Sequence, residues 1–314
     1  MNGLGILVPF RACRASDAVR LGVEAEGLGY SAVWVPEVST FDAISVVAAL
    51  TSMTEKVNLG TAIVPLGSRS PVALAMSAIT LADLAPGRVP LGLGVSSRII
   101  VEDWHGREFG QPLVRVRDAM EIIRQTLAGE STDHTGTAFR SVGFKLDIVP
   151  KARPKIYLAA MGPVMRKAAE QLSDGLILNF MPRSKASFLV SQVSSPVRPF
   201  DWTSFVRVAI SDSEGISERR IRREMASYLR IEQYRNWLFS LGLENFAPSL
   251  SGDLDSVASR LPSEFVDDVA IMGDVDTCRE KLRELQQKGI DPIVVPSTAA
   301  GDLDSFRRLM VALA

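Results

Sequence analysis

Cysteine is almost missing from this chain: Cys13 and Cys278 are the only two among 314 residues, and both stand in apolar-periodic surroundings. With no CxxC and no Cys/His grouping, neither a disulfide framework nor a zinc site is expected, and a reducing compartment suits the pair. An excess of charge is missing too. The 35 Lys and Arg against 36 Asp and Glu leave a net charge of −1, which gives nucleic acid no basic field to bind. No apolar stretch is long enough to span a bilayer, and the first residues run into a strand-like segment without a charged-then-apolar leader. The expectation is therefore a cytoplasmic protein, neither secreted nor membrane-bound. Internal repeats and low-complexity tracts are lacking as well. The residues present, 46% hydrophobic and 23% charged, have the balance of a soluble globular protein.

Strand and helix signals alternate along the chain. Gly3 to Pro9 predicts a first strand, and Ser16 predicts the cap of a helix reaching Gly27 and Gly29. Ser31 to Val35 predicts a second strand, followed by a helix near Phe41 to Ser52, and Val57 to Val64 a third that ends at Pro65. Ser70 before Pro71 is an N-cap with proline in the first helical position, opening a helix to about Leu84, and Val89 to Gly94 predicts strand four. A long loop through Trp104-His105-Gly106, a helix from Pro112 to Ala128 and a hairpin between His134 and Asp147 delay the fifth strand, Lys155 to Ala160. Residues 175–180 predict strand six, and an irregular link over 182–202 precedes a seventh from Phe205 to Ile210. An Arg-rich helical region follows, read to about Pro262 only as helix and loop. A helix from Asp276 to Lys288, an eighth strand at Ile293 to Val295 and a final helix from Asp302 to Leu313 complete the count. Near-continuous apolar strands alternating with helices require a parallel sheet covered on both faces. Eight such units in one domain over 1–314 predict an α/β fold, a (β/α)8 barrel with insertions after strands 4 and 7.

In such a barrel the residues just past each strand line the active face. Here these are Pro9 and Phe10, Glu37, Ala62 to Pro65, Val95 to Ser97, Ala159 to Gly162, and Asn179. The set has few paired carboxylates, no metal-ligand cluster and no Ser-His-Asp grouping, which suits an organic cofactor that carries the reaction while the protein orients it. The stretch Pro154 to Met165 stands out. Its strand ends in the small residues Ala159 to Gly162, and Pro163 then opens a helix whose free N–H groups and positive dipole end would suit a phosphate; an ordinary strand-to-helix turn is the alternative. Glu37 is a candidate catalytic residue, or half of a rim salt bridge to an arginine. His105, on a loop long enough to act as a lid, is a candidate proton donor or simply an exposed histidine. The Arg219, Arg220, Arg222 and Arg223 cluster, interleaved with Glu218 and Glu224, reads as a solvated helix face.

Val57-Asn58-Leu59-Gly60-Thr61-Ala62-Ile63-Val64-Pro65, Arg69-Ser70-Pro71, Thr80-Leu81-Ala82-Asp83-Leu84 with Gly87-Arg88, Leu91-Gly92-Leu93-Gly94 and Ala159-Ala160-Met161-Gly162-Pro163 together resemble the bacterial luciferase-like (flavin-utilising monooxygenase) superfamily. The likeness is greater to its coenzyme F420-dependent branch, which includes methylenetetrahydromethanopterin reductase and a glucose-6-phosphate dehydrogenase. The resemblance implies a TIM barrel with F420, or FMN as the alternative, across its mouth. It implies hydride exchange with a small organic substrate and a homodimer. A barrel that binds such a cofactor without turnover is the rival from outside enzymology. Carried over by position, Ala62-Ile63 matches the place of a non-prolyl cis peptide behind the cofactor ring, with Thr61 beside it. Val95, Ser96 and Ser97 match cofactor contacts, and Ala160, Met161, Gly162 and Pro163 match the phosphate loop; Asn179 joins the cofactor-binding set as the residue at the end of strand six. The chain departs from the sugar-phosphate dehydrogenase at Ser97, where an acid is expected, and at Val38, where a histidine is expected.

Overall fold

The computed structural model describes residues 3–148, 152–192, 199–210, 215–243 and 251–314. Its first half repeats a short buried strand and a capped helix: β1 (Gly5–Leu7), α1 (Ala15–Gly27), β2 (Ala32–Val35), α2 (Ala43–Thr51), β3 (Asn58–Thr61), β4 (Val64–Pro65), α3 (Pro71–Leu84) and β5 (Leu91–Gly94). The caps are side-chain oxygens that accept an otherwise orphaned N–H. Asp42 accepts from Ser45 and, ahead of Pro71, Ser70 accepts from Ala73, each worth about 1 kcal/mol. The first helix begins two residues earlier than a cap at Ser16 predicts. Arg14 stands at its cap without a capping side chain, and Ser16 lies inside the first turn.

After β5 a π-helical turn over Ile99–Trp104 takes the place of part of the predicted loop. Then come α4 (Pro112–Leu127) and an antiparallel hairpin of β6 (Asp133–Thr135) and β7 (Arg140–Val142), which form the first insertion. The chain continues through β8 (Ile156–Ala159), α5 (Pro163–Leu172), β9 (Gly175–Asn179), α6 (Ala186–Ser191) and β10 (Asp201–Ile210). β10 starts four residues before the predicted strand, taking residues from what reads in sequence as an irregular link; 193–198 of that link lie outside the described residues. The second insertion holds α7 (Ile216–Leu229), α8 (Glu232–Leu238), α9 (Leu254–Arg260) and α10 (Ser263–Val269), with 244–250 outside the described residues. It leads to β11 (Ala270–Gly273), a strand that sequence reading misses because four apolar residues carry no decisive period. The chain ends with α11 (Val275–Gln287), β12 (Asp291–Pro296) and α12 (Leu303–Leu313).

The sheet runs in the order β3-β2-β1-β12-β10-β9-β8-β5-β4 with every pairing parallel, and β11 adds to β10. Its two ends are consecutive pieces of one strand. β3 pairs with β2, and after the cis peptide between Ala62 and Ile63, β4 pairs with β5. One interrupted third strand thus closes the predicted eight-strand barrel. Thr61 seals the join: its hydroxyl donates to the Gly92 carbonyl at 2.8 Å and accepts from the Gly92 N–H at 2.9 Å.

Trp34 and Tyr157 fill the barrel, with ring centroids 5.8 Å apart. Glycines make room for them. A methyl group at Gly60 would overlap the Trp34 indole, one at Gly175 would lie 2.8 Å from the Tyr157 ring, and one at Gly92 would overlap the Thr61 carbonyl. At the lower end the Tyr157 hydroxyl donates to Asp201, which also holds Lys155 at 2.6 Å. Close by, burial, reinforced by Asp201, pushes the Asp291 carboxyl up to about 6, although the Gly3 N–H donates to it. The larger core lies between the sheet and the helices. It includes the predicted faces Met120, Ile123 and Leu127 of α4 and Cys278, Leu282 and Leu285 of α11.

Two outcomes follow from this packing. Gly60→Ala and Gly92→Ala should each destabilise the protein by roughly 3 kcal/mol, because the overlapped groups are a wedged ring and a backbone carbonyl. Gly27→Ala, at a helix end with open space around it, should be neutral or gain up to about 1 kcal/mol; comparison of melting curves for the three variants checks this. Asp291 is disfavoured as a carboxylate, so its stabilising contribution is complete below about pH 4 and is lost as pH rises through about 6. Asp291→Asn should therefore be more stable than the parent near pH 8 by on the order of 1–2 kcal/mol, with no gain near pH 4. Melts at the two pH values read the difference.

Candidate functional site

The C-terminal ends of the strands converge on a mouth whose floor is apolar. Phe10, Ile63, Ala159, Phe205 and Val295 all pack against the interior cluster around Trp34 and Tyr157. Three non-glycine residues here have positive φ: Ala12 after β1, Ser96 after β5 and Phe180 after β9, at 50°, 62° and 50°. Such left-handed backbone is uncommon outside glycine. At this rim it turns the chain sharply at the ends of three strands.

The sequence candidates fall into two groups. Ala62, Ile63, Val95, Ser96, Ala160, Met161, Gly162 and Pro163 lie around the ends of β3, β5 and β8, on one side of the mouth. Gly162 is the N-cap of α5 and has no side chain to cap it. A Cβ placed on it would meet nothing within 4 Å, so there is room beside the start of the helix. Beside it lies a residue that sequence reading misses. Arg166, in the first turn of α5, turns back to donate to the Met161 carbonyl at 2.7 Å, and its guanidinium lies 5.4 Å from the Trp237 ring. Desolvation lowers its pKa, and it has no acidic partner among the described residues. A cation at the positive end of a helix dipole is unfavourable unless an anion offsets it. The sequence gives little sign of this, because Glu170 stands four residues on, at the spacing of an ordinary helical ion pair.

The second group is engaged in structural work. Thr61 is fully buried and joins the barrel wall. Ser97 accepts from the Ile100 N–H at 3.4 Å and starts the π-helical turn. Glu37, its side chain 12% exposed, grips Arg69 with both oxygens at 2.6 and 3.0 Å and accepts from the Ala43 N–H at 3.0 Å; Arg69 also holds Asp42. Glu37 thus makes the rim salt bridge to an arginine that is one of its two sequence readings. His105 is exposed at the end of the π-helical turn.

Asn179 belongs to a buried network. Its Oδ1 accepts from Arg207, its Nδ2 donates to the Tyr234 hydroxyl at 3.1 Å, and its carbonyl accepts from the Trp237 indole at 2.9 Å. Arg207 is 4% exposed, donates twice to Glu224 at 3.0 and 3.1 Å, and stacks 3.8 Å from the Phe180 centroid. Burial alone would lower its pKa, but Glu224 together with Tyr228 and Tyr234 more than offsets this and raises it. A charged residue inside the apolar run Phe205 to Ile210 marked this position in the sequence.

The Arg cluster of α7 divides. Arg222 binds Glu218 at 2.7 Å but is packed rather than solvated, its side chain 12% exposed and donating to the Leu261 carbonyl at 2.6 Å and the Ser263 hydroxyl at 2.7 Å. Arg220 instead lines a cavity of about 640 Å³ between the ends of β1 and β12 and helix α7, together with Arg11, Arg223 and Glu224. Among the described residues no group of three or more His, Cys, Asp or Glu could hold a metal ion, and no helix is long and apolar enough to cross a membrane.

Comparison with known proteins places this geometry in context. A protein of Mycobacterium tuberculosis named as a coenzyme F420-dependent oxidoreductase is 30% identical, the match covering 91% of each chain. The 5,10-methylenetetrahydromethanopterin reductase of Archaeoglobus fulgidus is 25% identical over 88% of each. The structure of the coenzyme F420-dependent tetrahydromethanopterin reductase of Methanopyrus kandleri superposes with a TM-score of 0.76, at 19% identity over 99% of this chain and 97% of that one, a likeness of fold. The family model described as luciferase-like monooxygenase matches residues 4–292. With that match over most of its length, on a barrel closed through the Ala62–Ile63 join, the chain belongs to the luciferase-like monooxygenase family.

Proposed function

We propose that the protein is an oxidoreductase that binds coenzyme F420 across the barrel mouth and exchanges a hydride between it and a small organic substrate. The observation that carries this reading is the uncapped N-terminus of α5, open at Gly162 and flanked by Arg166, a desolvated cation without an acidic partner among the described residues. A phosphate supplies the negative charge that both features require. The F420-dependent relatives, matched nearly end to end, support the choice of cofactor.

When bound, F420 supplies a two-electron carrier that exchanges hydride at its central ring carbon. The residues fit it as follows. Backbone N–H groups around Met161 and Gly162, with Arg166, would hold the phosphate, while Ile63 and Val95 would give the ring an apolar backing. Ala62 and Ala160 are small enough to let backbone approach it. The buried Asn179–Arg207–Glu224 network, with Tyr234 and Trp237 packed against it, holds the rim beyond β9 rigid. A mouth with few free acids and bases suits reduction of an electron-poor acceptor better than oxidation of an alcohol, which needs a general base.

Gly162→Asp, which puts a carboxylate and bulk where the phosphate would lie, should lower F420 affinity at least about tenfold while the melting curve stays near that of the parent. Titrations with F420 and with FMN read this, and unchanged binding of both would remove the phosphate from α5. Glucose 6-phosphate should not reduce the deazaflavin, because Ser97 caps the π-helical turn where an acid is expected and Val38 replaces a histidine. Deazaflavin reduction at a rate ordinary for enzymes, about 1 s⁻¹ or more, would refute it.

A further inference from the structure

The two sides of the mouth differ in chemistry. In the sheet order, β1 lies across the barrel from β8, so the α5 terminus and the cavity beside β1 and β12 face each other. The cavity, about 640 Å³, has an apolar body: Leu7, Phe10, Val295, Leu303 and Phe306 line it. Phe10 and Val295 also pack on the interior cluster that supports Ile63, so its inner end adjoins the ring-facing wall.

Its polar edge is cationic once the charges are paired. Glu224 is held by Arg207 through two hydrogen bonds, and Asp302, which caps α12 by accepting from the Ser305 N–H at 3.0 Å, is a carboxylate stabilised by Arg308 and Arg220, so the edge keeps a cationic excess. Three guanidinium groups remain. Arg220 donates one N–H to the Ser297 carbonyl at 2.9 Å. Arg223 meets Asp255 at 3.1 Å, but with side chains 59% and 70% exposed, a pair that contributes little. Arg11 lies 5.7 Å from the Phe10 ring centroid and has no acidic partner among the described residues. A second, independent observation points the same way. Ser297 lines the cavity at 7% exposure, and its hydroxyl oxygen is buried with no hydrogen-bond partner. A buried hydroxyl left in that state is costly, and rotation of the serine side chain toward an acceptor oxygen in the cavity would relieve it.

We propose that this cavity is the substrate pocket and that it selects an amphipathic organic acid, whose apolar body lies against Phe10 and Val295 and whose anionic group is received by Arg11, Arg220 and the Ser297 hydroxyl. The assignment rests on the oxidoreductase reading and gives it a substrate class. A carboxylate and a phosphate monoester share the required chemistry, and guanidinium groups serve both.

The test uses the full chain in calorimetric titrations with octanoate, octyl phosphate and 1-octanol, which share a chain and differ in the head group. At low salt both anions should bind at least about tenfold tighter than the alcohol, and the advantage should shrink near 1 M salt, where screening reaches ~3 Å. The tighter anion identifies the carboxylate or the phosphate as the natural head group. Arg11→Gln, at an exposed position, and Ser297→Ala should each weaken anion binding at least about threefold and leave octanol unchanged. Equal binding of octanol and the anions in the parent protein overturns the proposal, as does indifference of the anions to both substitutions. F420 titration in parallel separates the two readings. F420 binding without anion preference removes the pocket assignment alone, whereas anion binding without F420 binding removes the oxidoreductase reading and, with it, the role as substrate pocket.

Discussion

An indole in the middle of a barrel dictates much of what surrounds it. Trp34 can occupy the interior only because Gly60 and Gly5 present no side chain to it, and the Gly5 position would bring a methyl to 3.0 Å from the indole nitrogen. Tyr157 repeats the arrangement against Gly175. Together the two rings fill the lower interior, where native packing leaves little empty space. The next layer up is then the floor of the mouth, and it consists of Phe10, Ile63, Ala159, Phe205 and Val295. A planar, largely apolar ring system is what such a floor can support, so the choice of cofactor class begins with the packing of two aromatic side chains well below it.

The strand and helix alternation is legible in sequence because parallel strands buried on both faces read as apolar runs, and because Asp42, Ser70 and Pro71 mark helix starts by local chemistry. The turn from β8 into α5 is legible for the same reason: small residues followed by proline are a local signal. Thr61 is legible as important but not in its role, since its two bonds to Gly92 depend on β5 crossing the broken edge of the third strand. Asn179 and Glu37 stand where active-face residues stand, but their partners, Arg207 and Arg69, lie 28 and 32 residues away. Pairings over such separations have no local trace. The cluster on α7 shows the converse. Its alternating charges predict a solvated face, and Arg223 is exposed, while Arg222 is drawn onto Leu261 and Ser263 and Arg220 onto a cavity wall.

The Arg207–Glu224 pair links the two sides of the mouth. Arg207 is buried at the centre of β10, touches Asn179 at the end of β9, and through Glu224 reaches the lining of the cavity. Removing either partner would leave an uncompensated charge in the interior, which is more costly than the net worth of the pair itself. The pair therefore fixes where α7 sits relative to the strands. It also neutralises Glu224 in a cavity whose remaining character is basic.

β10 has an unusual division of labour along its ten residues. One edge pairs with β12 throughout Thr203 to Val208, while the other is shared, β9 taking Asp201 to Phe205 and β11 taking Arg207 to Ile210. The excursion between β10 and β11 thus leaves from a strand and returns to the same strand's edge, like a handle riveted at both ends to one plate. Its helices can be lengthened, shortened or exchanged without opening a barrel seam. Because α7 and α9 contribute Arg220, Arg223 and Leu254 to the cavity, replacing the handle would rebuild one cavity wall while the ends of β3, β5 and β8, on the far side of the mouth, stay as they are.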